Sequence, residues 1–285
     1  MLKYFSLSSY ARTDGYDELI LPFLRQMSHL EELHLFLNIL KEQRLSVVDG
    51  NDLQKNLLIH LSQLKRFHFS IYTYVCELNI PISHENICLS NDDLQQSFID
   101  NQFGQVRSYV HQNSSKYIYG CHVYSIPYQF KEFLRLGYSF ANDVFIAVRT
   151  LFIHDYICWD DHFFKRINQS FPLIETLIMG NSSPQTNQFQ LSNNRKQFPI
   201  MIFNRLSNLH LNHLHIDYIE LFLFSRYSHL PRLSQLEIDY EQLNTLTNSF
   251  TNDPTQFNFS HIRRLITNEA FVRSQNFSKY FPSLE

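Results

Sequence analysis

Apolar residues along this chain fall into a short recurring phrase, apolar-x-x-apolar-x-apolar. It reads Leu2, Phe5 and Leu7, then Leu30, Leu33 and Leu35, then Leu64, Phe67 and Phe69. After an interval it resumes with Val148, Leu151 and Ile153, then Ile174, Leu177 and Met179, and Leu206, Leu209 and Leu211. Leu233, Leu236 and Ile238 follow, and Ile262, Leu265 and Thr267 make a weaker eighth. The central residues return every 26 to 34 positions, apart from one gap of 84 between Phe67 and Leu151. Alternation of this kind marks a strand with one buried face.

Between the strands lie helical stripes. Tyr16, Leu19, Ile20, Phe23, Leu24 and Met27 fall on one helix face. Leu53, Leu57, Leu58 and Leu61 do the same after Asn51 and Asp52, either of which suits a helix cap. Shorter stripes are Phe163, Phe164 and Ile167, then Ile219, Phe222 and Leu223, then Leu243, Leu246 and Phe250. Each unit therefore reads strand, loop, helix, return loop. One such unit cannot bury its apolar side alone, so neighbours must stack. An ordinary α/β domain would also alternate strands and helices, but it does not require one phrase to return eight times. The pattern predicts a single α/β domain over residues 1–285, a curved solenoid. Its eight strands should lie side by side in one parallel inner sheet, with the helices outside.

Residues 80–147 break the rhythm and read as an irregular insertion or as degenerate repeats. Asp92 and Asp93 lead a short helix through Leu94 and Phe98. Gln105 to His111 and Tyr117 to Ser125 alternate as a hairpin about the polar loop 112–116. Phe130, Phe133 and Leu134 have helical spacing.

Composition adds limits. Hydrophobic residues make up 44% and charged residues 18%, with 26 Phe and 16 Tyr, so rings must fill many core positions. A formal net charge of −3 gives no general attraction to nucleic acid or to an anionic membrane. No run of apolar residues reaches the ~18 that a membrane helix needs, and the first residues do not form a secretory signal. Cys76, Cys88, Cys121 and Cys158 are sparse, without a CxxC pair, which fits a reduced compartment, the cytoplasm or the nucleus. Glycine-rich phosphate loops are missing, so a nucleotide or other small-molecule cofactor is not expected.

The segments SHLEELHLFLN (Ser28 to Asn38), SQLKRFHFS, VRTLFIHD, FPLIETLIMGN, LSNLHLNHLHI, LPRLSQLEIDY and FSHIRRLIT resemble the leucine-rich-repeat family. The likeness is closest to the long repeats found beside F-box modules in ubiquitin-ligase adaptors, and it covers nearly the whole chain outside 80–147. It implies a non-enzymatic protein-recognition module, the substrate-recognising part of such an adaptor or a ligase-independent scaffold. The family places Asn or Cys after the strand, where the side chain ties adjacent turns together. Asn38 holds that place, whereas the other units carry Tyr72, Tyr156, Ser182, Leu214, Glu241 and Ala270. An F-box is missing, since Leu21-Pro22, the one candidate for its opening, sits inside a repeat helix. The opening strand and the closing Phe281 to Glu285, which looks like the start of another unit, suggest a segment of a longer architecture.

Strand alternation then selects candidate contacts. With the leucines facing inward, Glu32, His34 and Phe36, then Arg66 and His68, then Phe152, Ile178, His210, Glu237 and Arg264 face outward. Ser70, Thr150, His154, Thr176, Asn208, Asn212, Gln235, Asp239 and Ile266 share that face. Apolar anchors amid polar residues suit a protein partner. Two polar clusters offer the enzymatic alternative, Asp155, Asp160, Asp161 and His162, and His210, His213 and His215. The first reads better as a capped helix start, and neither has a recognised ligand spacing, so no catalytic residue and no metal site is expected.

Overall fold

The computed structural model describes residues 2–41, 47–76, 90–99, 104–113, 118–138, 140, 143–154, 159–181, 200–271 and 273–284. Contacts divide the chain into two compact units, Met1–Phe130 with Ser139–Ala141, and Lys131–Tyr138 with Asn142–Glu285.

The first unit opens with β1 (Tyr4–Thr13), a π-turn over Tyr16–Ile20 and α1 (Leu21–Arg25). Next come β2 (Glu32–Lys41), α2 (Gly50–Asn56), β3 (Arg66–Cys76), α3 (Asn91–Gln96) and the strands β4 (Gln105–Asn113) and β5 (Ile118–Ile126). The sheet order is β1-β2-β3-β5-β4. The first three strands are parallel, with Phe5 opposite Leu33 and Leu33 opposite Phe67. Periodicity thus set both the strands and their register. Leu33, Leu35, Phe69 and Ile71 are wholly buried against Leu24, Leu53 and Leu57 of the helical side.

The helix starts follow local chemistry. Asp49, rather than Asn51 or Asp52, caps α2, its Oδ1 accepting from the Asp52 amide at 2.7 Å. A cap must sit outside the helix with extended backbone, and here the helix already runs from Gly50. At α3, Ser90 and Asp93 exchange bonds as a capping box. Gly50 is obligatory, because a Cβ there would lie 2.1 Å from the Ser97 carbonyl oxygen.

The second unit runs β6 (Glu132–Leu136), β7 (Thr150–His154), α4 (Asp161–Ser170), β8 (Thr176–Gly180), β9 (Met201–Ile202), β10 (Asn208–His210), α5 (Ile216–Leu223) and β11 (Ser228–His229). It closes with β12 (Gln235–Glu237), α6 (Tyr240–Leu246), β13 (Arg264–Ile266) and α7 (Phe277–Tyr280). A six-stranded parallel sheet has the order β13-β12-β10-β8-β7-β6, and β9 and β11 form a small pair of their own. Leu151, Leu177, Leu209, Leu236 and Leu265 stand opposite one another in succession. The first four are fully buried.

Two expectations need correction. The eight strands do not share one sheet. The antiparallel hairpin β4–β5 occupies the free edge of β3, where a further repeat strand would have paired. Phe130, Phe133 and Leu134 do not form a helix, since Phe133 is the centre of strand β6, opposite Leu151. The helical spacing misleads because Arg135, at φ 48°, bulges the strand and shifts its register. The hairpin itself forms as its alternation predicts.

A second periodic device lies just ahead of the strands. The residue two positions before each centre donates its amide to its counterpart in the neighbouring unit. Glu31 donates to Lys3 and Lys65 to Glu31, at 2.8 Å each. In the second sheet Arg149 donates to Lys131, Glu175 to Arg149, Ser207 to Glu175, Ser234 to Ser207 and Arg263 to Ser234, at 2.6–2.9 Å. A tight turn precedes most of these, as where the Leu64 amide meets the Leu61 carbonyl, Ile174 meets Phe171 and Leu233 meets Leu230. The phrase is therefore longer than its three-residue core, with a further apolar position six residues before the centre.

Candidate interaction surface

In the first unit, β2 presents Glu32 and His34 and β3 presents Arg66 and His68 on one face, because residues two apart in a strand point the same way. Register puts Glu32 opposite Arg66 and His34 opposite His68. Arg66 Nε donates to Glu32 Oε2 at 2.7 Å, and His34 Nε2 donates to Glu32 Oε1 at 2.9 Å. These contacts lower the Glu32 carboxyl below the ordinary range, the Arg66 bond first. The imidazoles of His34 and His68 pack with centroids 4.8 Å apart. Burial and then the neighbouring His34 push the His68 pKa down, which favours its neutral ring. His34 and Glu32 are only 17% and 21% exposed, so this is a sheltered patch rather than an open one.

Phe36 requires correction. Alternation along β2 puts it on the outward face as an anchor, yet it is completely buried. The rings of Tyr10 and Phe130 lie 5.3 and 5.5 Å from it. Farther along β3 the face is closed too. Ser70 is buried and bonds His122 Nε2 at 2.9 Å and the Tyr128 hydroxyl at 3.0 Å, while His122 Nδ1 meets the Tyr109 hydroxyl at 3.0 Å. A serine beside a histidine invites a catalytic reading, but both side chains are wholly buried and no substrate reaches them. They form a satisfied polar network.

The second unit keeps an open face. Register aligns Phe152, Ile178, His210, Glu237 and Ile266 in one row across five strands. Beside it runs Thr150, Thr176, Asn208, Gln235 and Arg264. At ~4.8 Å per strand the row is ~19 Å long. Most of its members are half-buried rather than freely exposed, as pleated neighbours shield one another, and Arg264 is exposed. His210 Nδ1 lies 2.7 Å from Glu237 Oε2, and Asn212 Nδ2 donates to the other oxygen of that carboxylate. The Asn208 amide group donates to Thr176 Oγ1 at 3.1 Å. The ring of His154 lies over Gly180, so closely that a Cβ there would stand 3.1 Å from it.

Among the described residues, Asp160, His210 and His215 of the two polar clusters make separate contacts. Asp160 caps α4, accepting from the Phe163 amide at 2.8 Å, and also accepts from the Tyr138 hydroxyl at 2.9 Å. Asp155 lies outside the described residues, and His162 is exposed. His215 caps α5 beside Asp217, His213 sits exposed at φ 60° and His210 pairs with Glu237.

Asn38 ties β2 to β1, its Nδ2 donating to the Tyr10 carbonyl at 3.0 Å. In the second unit Asn181 is buried one place earlier in its repeat, and its carbonyl accepts from the His215 amide at 2.8 Å.

No family model, curated protein or solved structure matches the chain. No helix among the described residues is long and apolar enough to cross a membrane.

Proposed function

We propose that the chain is a protein-recognition module of the leucine-rich-repeat kind, working through the open strand face of its second unit. The observation that carries this reading is the straight row Phe152, Ile178, His210, Glu237 and Ile266, which mixes ring, aliphatic and charged groups at strand spacing. Apolar anchors ringed by polar groups are what protein partners bury. The backbone relay ahead of the strands supports a solenoid-like stack within each sheet, because there it ties each repeat to its predecessor by the same bond.

Size matters to this reading. A standard interface covers ~800 Å² per partner, and two rows of short strands supply only part of it. The loops leaving the strands complete the surface, around Asn212, His213 and Asp239, where the His213 amide donates to Asp239 Oδ2 at 3.2 Å. Recognition of substrates for an F-box-type ubiquitin ligase is the specific form of this proposal. Ligase binding itself falls to no residue of this chain.

Quantitative capture from native lysate tests it, comparing the chain with a Phe152→Ala, Ile178→Ala, Glu237→Ala variant shown by circular dichroism to be folded. Partners held by the row should fall at least tenfold, since truncating true anchors costs ~2 kcal/mol or more each. Unchanged capture of every partner by the folded variant would overturn the proposal.

A further inference from the structure

We propose that Glu32, His34 and His68 form a binding site for a divalent transition-metal ion of the zinc class. The inference is independent of the recognition surface of the second unit. Glu32 and His34 come from β2 and His68 from β3. One ligand atom from each lies within 4.8 Å of the other two. Two imidazoles and a carboxylate are a ligand set that zinc favours, with a fourth position left to water.

Bonds of ~2.0–2.2 Å to zinc place tetrahedral ligands ~3.3–3.6 Å apart, so the three groups must close by about 1 Å. His34 and Glu32 stand 2.9 Å apart and open by about half an ångström to admit the ion, while the closing movement falls to the His68 ring, which packs 4.8 Å from that of His34. The two oxygens of Glu32 have separate uses. Oε1 faces His34, and Oε2 is held by Arg66 Nε at 2.7 Å. A metal ion takes Oε1 in place of the proton on His34 Nε2, while Arg66 stays on Oε2 and fixes the carboxylate from outside. Aromatic walls flank the site, with Tyr4 and Phe130 centred 5.3 and 6.4 Å from the His34 ring. Such walls limit water around the ion and keep the ligand rings in place.

Sequence spacing could not reveal the site, because His68 lies 34 positions from His34 and reaches it only through parallel pairing.

The test uses the full chain without an affinity tag, stripped with chelator and titrated with cobalt(II), the visible absorption reporting ligand number. Zinc is then added in competition. The site predicts one tightly held ion per chain with a tetrahedral cobalt spectrum that zinc abolishes. His34→Gln with His68→Gln should weaken that ion by at least ~10-fold, whereas His60→Gln with His162→Gln, at exposed positions that supply no ligand atom, should not. If the double variant fails to fold, protection from histidine modification replaces it. Zinc should then slow diethyl pyrocarbonate labelling of His34 and His68 in the unaltered chain, read by mass spectrometry. Absence of a stoichiometric ion, or an ion unaffected by both measures, would overturn the proposal.

Discussion

The two sheets are built on the same repeated phrase and end with opposite surfaces. In the first unit β1, β2 and β3 run 10, 10 and 11 residues, and rings close much of the outward face. In the second, β7 and β8 run 5 residues and β10, β12 and β13 only 3. Their outward side chains remain partly open. Strand length accounts for the difference. A long strand places four to six side chains on each face, and the outer ones must be covered when they are Phe36, Tyr72 or Tyr124. A short strand places one to three, and polar pairs such as Asn208 with Thr176 and His210 with Glu237 satisfy each other without a cover. The same core pattern therefore yields a packed face in one unit and an available face in the other.

The largest effect should come from the covered face. Phe36→Ala removes a ring wedged between Tyr10 and Phe130 and should destabilise the first unit by ~3–5 kcal/mol. Peptide-resolved hydrogen exchange reports each unit separately. An equally slow exchange of β2 in this variant would show that Phe36 is not part of a core. Gly50→Ala should cost upward of ~2 kcal/mol in the same unit, because the new Cβ meets backbone rather than a movable side chain.

Neighbouring positions of β8 sharpen the contrast. Leu177→Ala should cost ~2–5 kcal/mol through lost burial and a cavity. Ile178→Ala, half-buried on the open face, should cost less than ~1.5 kcal/mol. Equal exchange rates for the two variants would mean that the register is wrong.

The smallest effect is electrostatic. Glu31 accepts from Lys3 and Lys65, and these bonds hold its carboxyl down to about 2. A folded value below the unfolded one stabilises the fold above the ordinary carboxylate value and loses that contribution as pH falls toward 2. The group lies near the surface, so the effect should be slight and should vanish at high salt. Denaturation midpoints of the unaltered chain and of Glu31→Gln should differ at pH 6 and converge near pH 2. A gap that persists at pH 2 would contradict this origin.

Much of the fold was legible because a buried strand face leaves a period of two in the sequence, and the eight centres found that way pair in register. The ninth, Phe133, was hidden by the bulge at Arg135, which broke that period. The division into two sheets was hidden for another reason. Alternation tells that β4 and β5 are strands but not that β5 will take the edge of β3. The row Phe152 to Glu237 was legible from alternation alone. The burial of Phe36 was not, since its covers, Tyr10 and Phe130, lie far off in sequence and meet it only in the folded unit.

The central claim is that partners bind on the open face of the second sheet. Carbene footprinting of the chain, alone and with a captured partner, tests it most directly by reading side-chain accessibility residue by residue. The account predicts loss of labelling at Phe152, Ile178, His210, Glu237 and Arg264 with the helices unchanged. Protection confined to exposed helix positions such as Lys165 and Gln169, with the row still labelled, would contradict it.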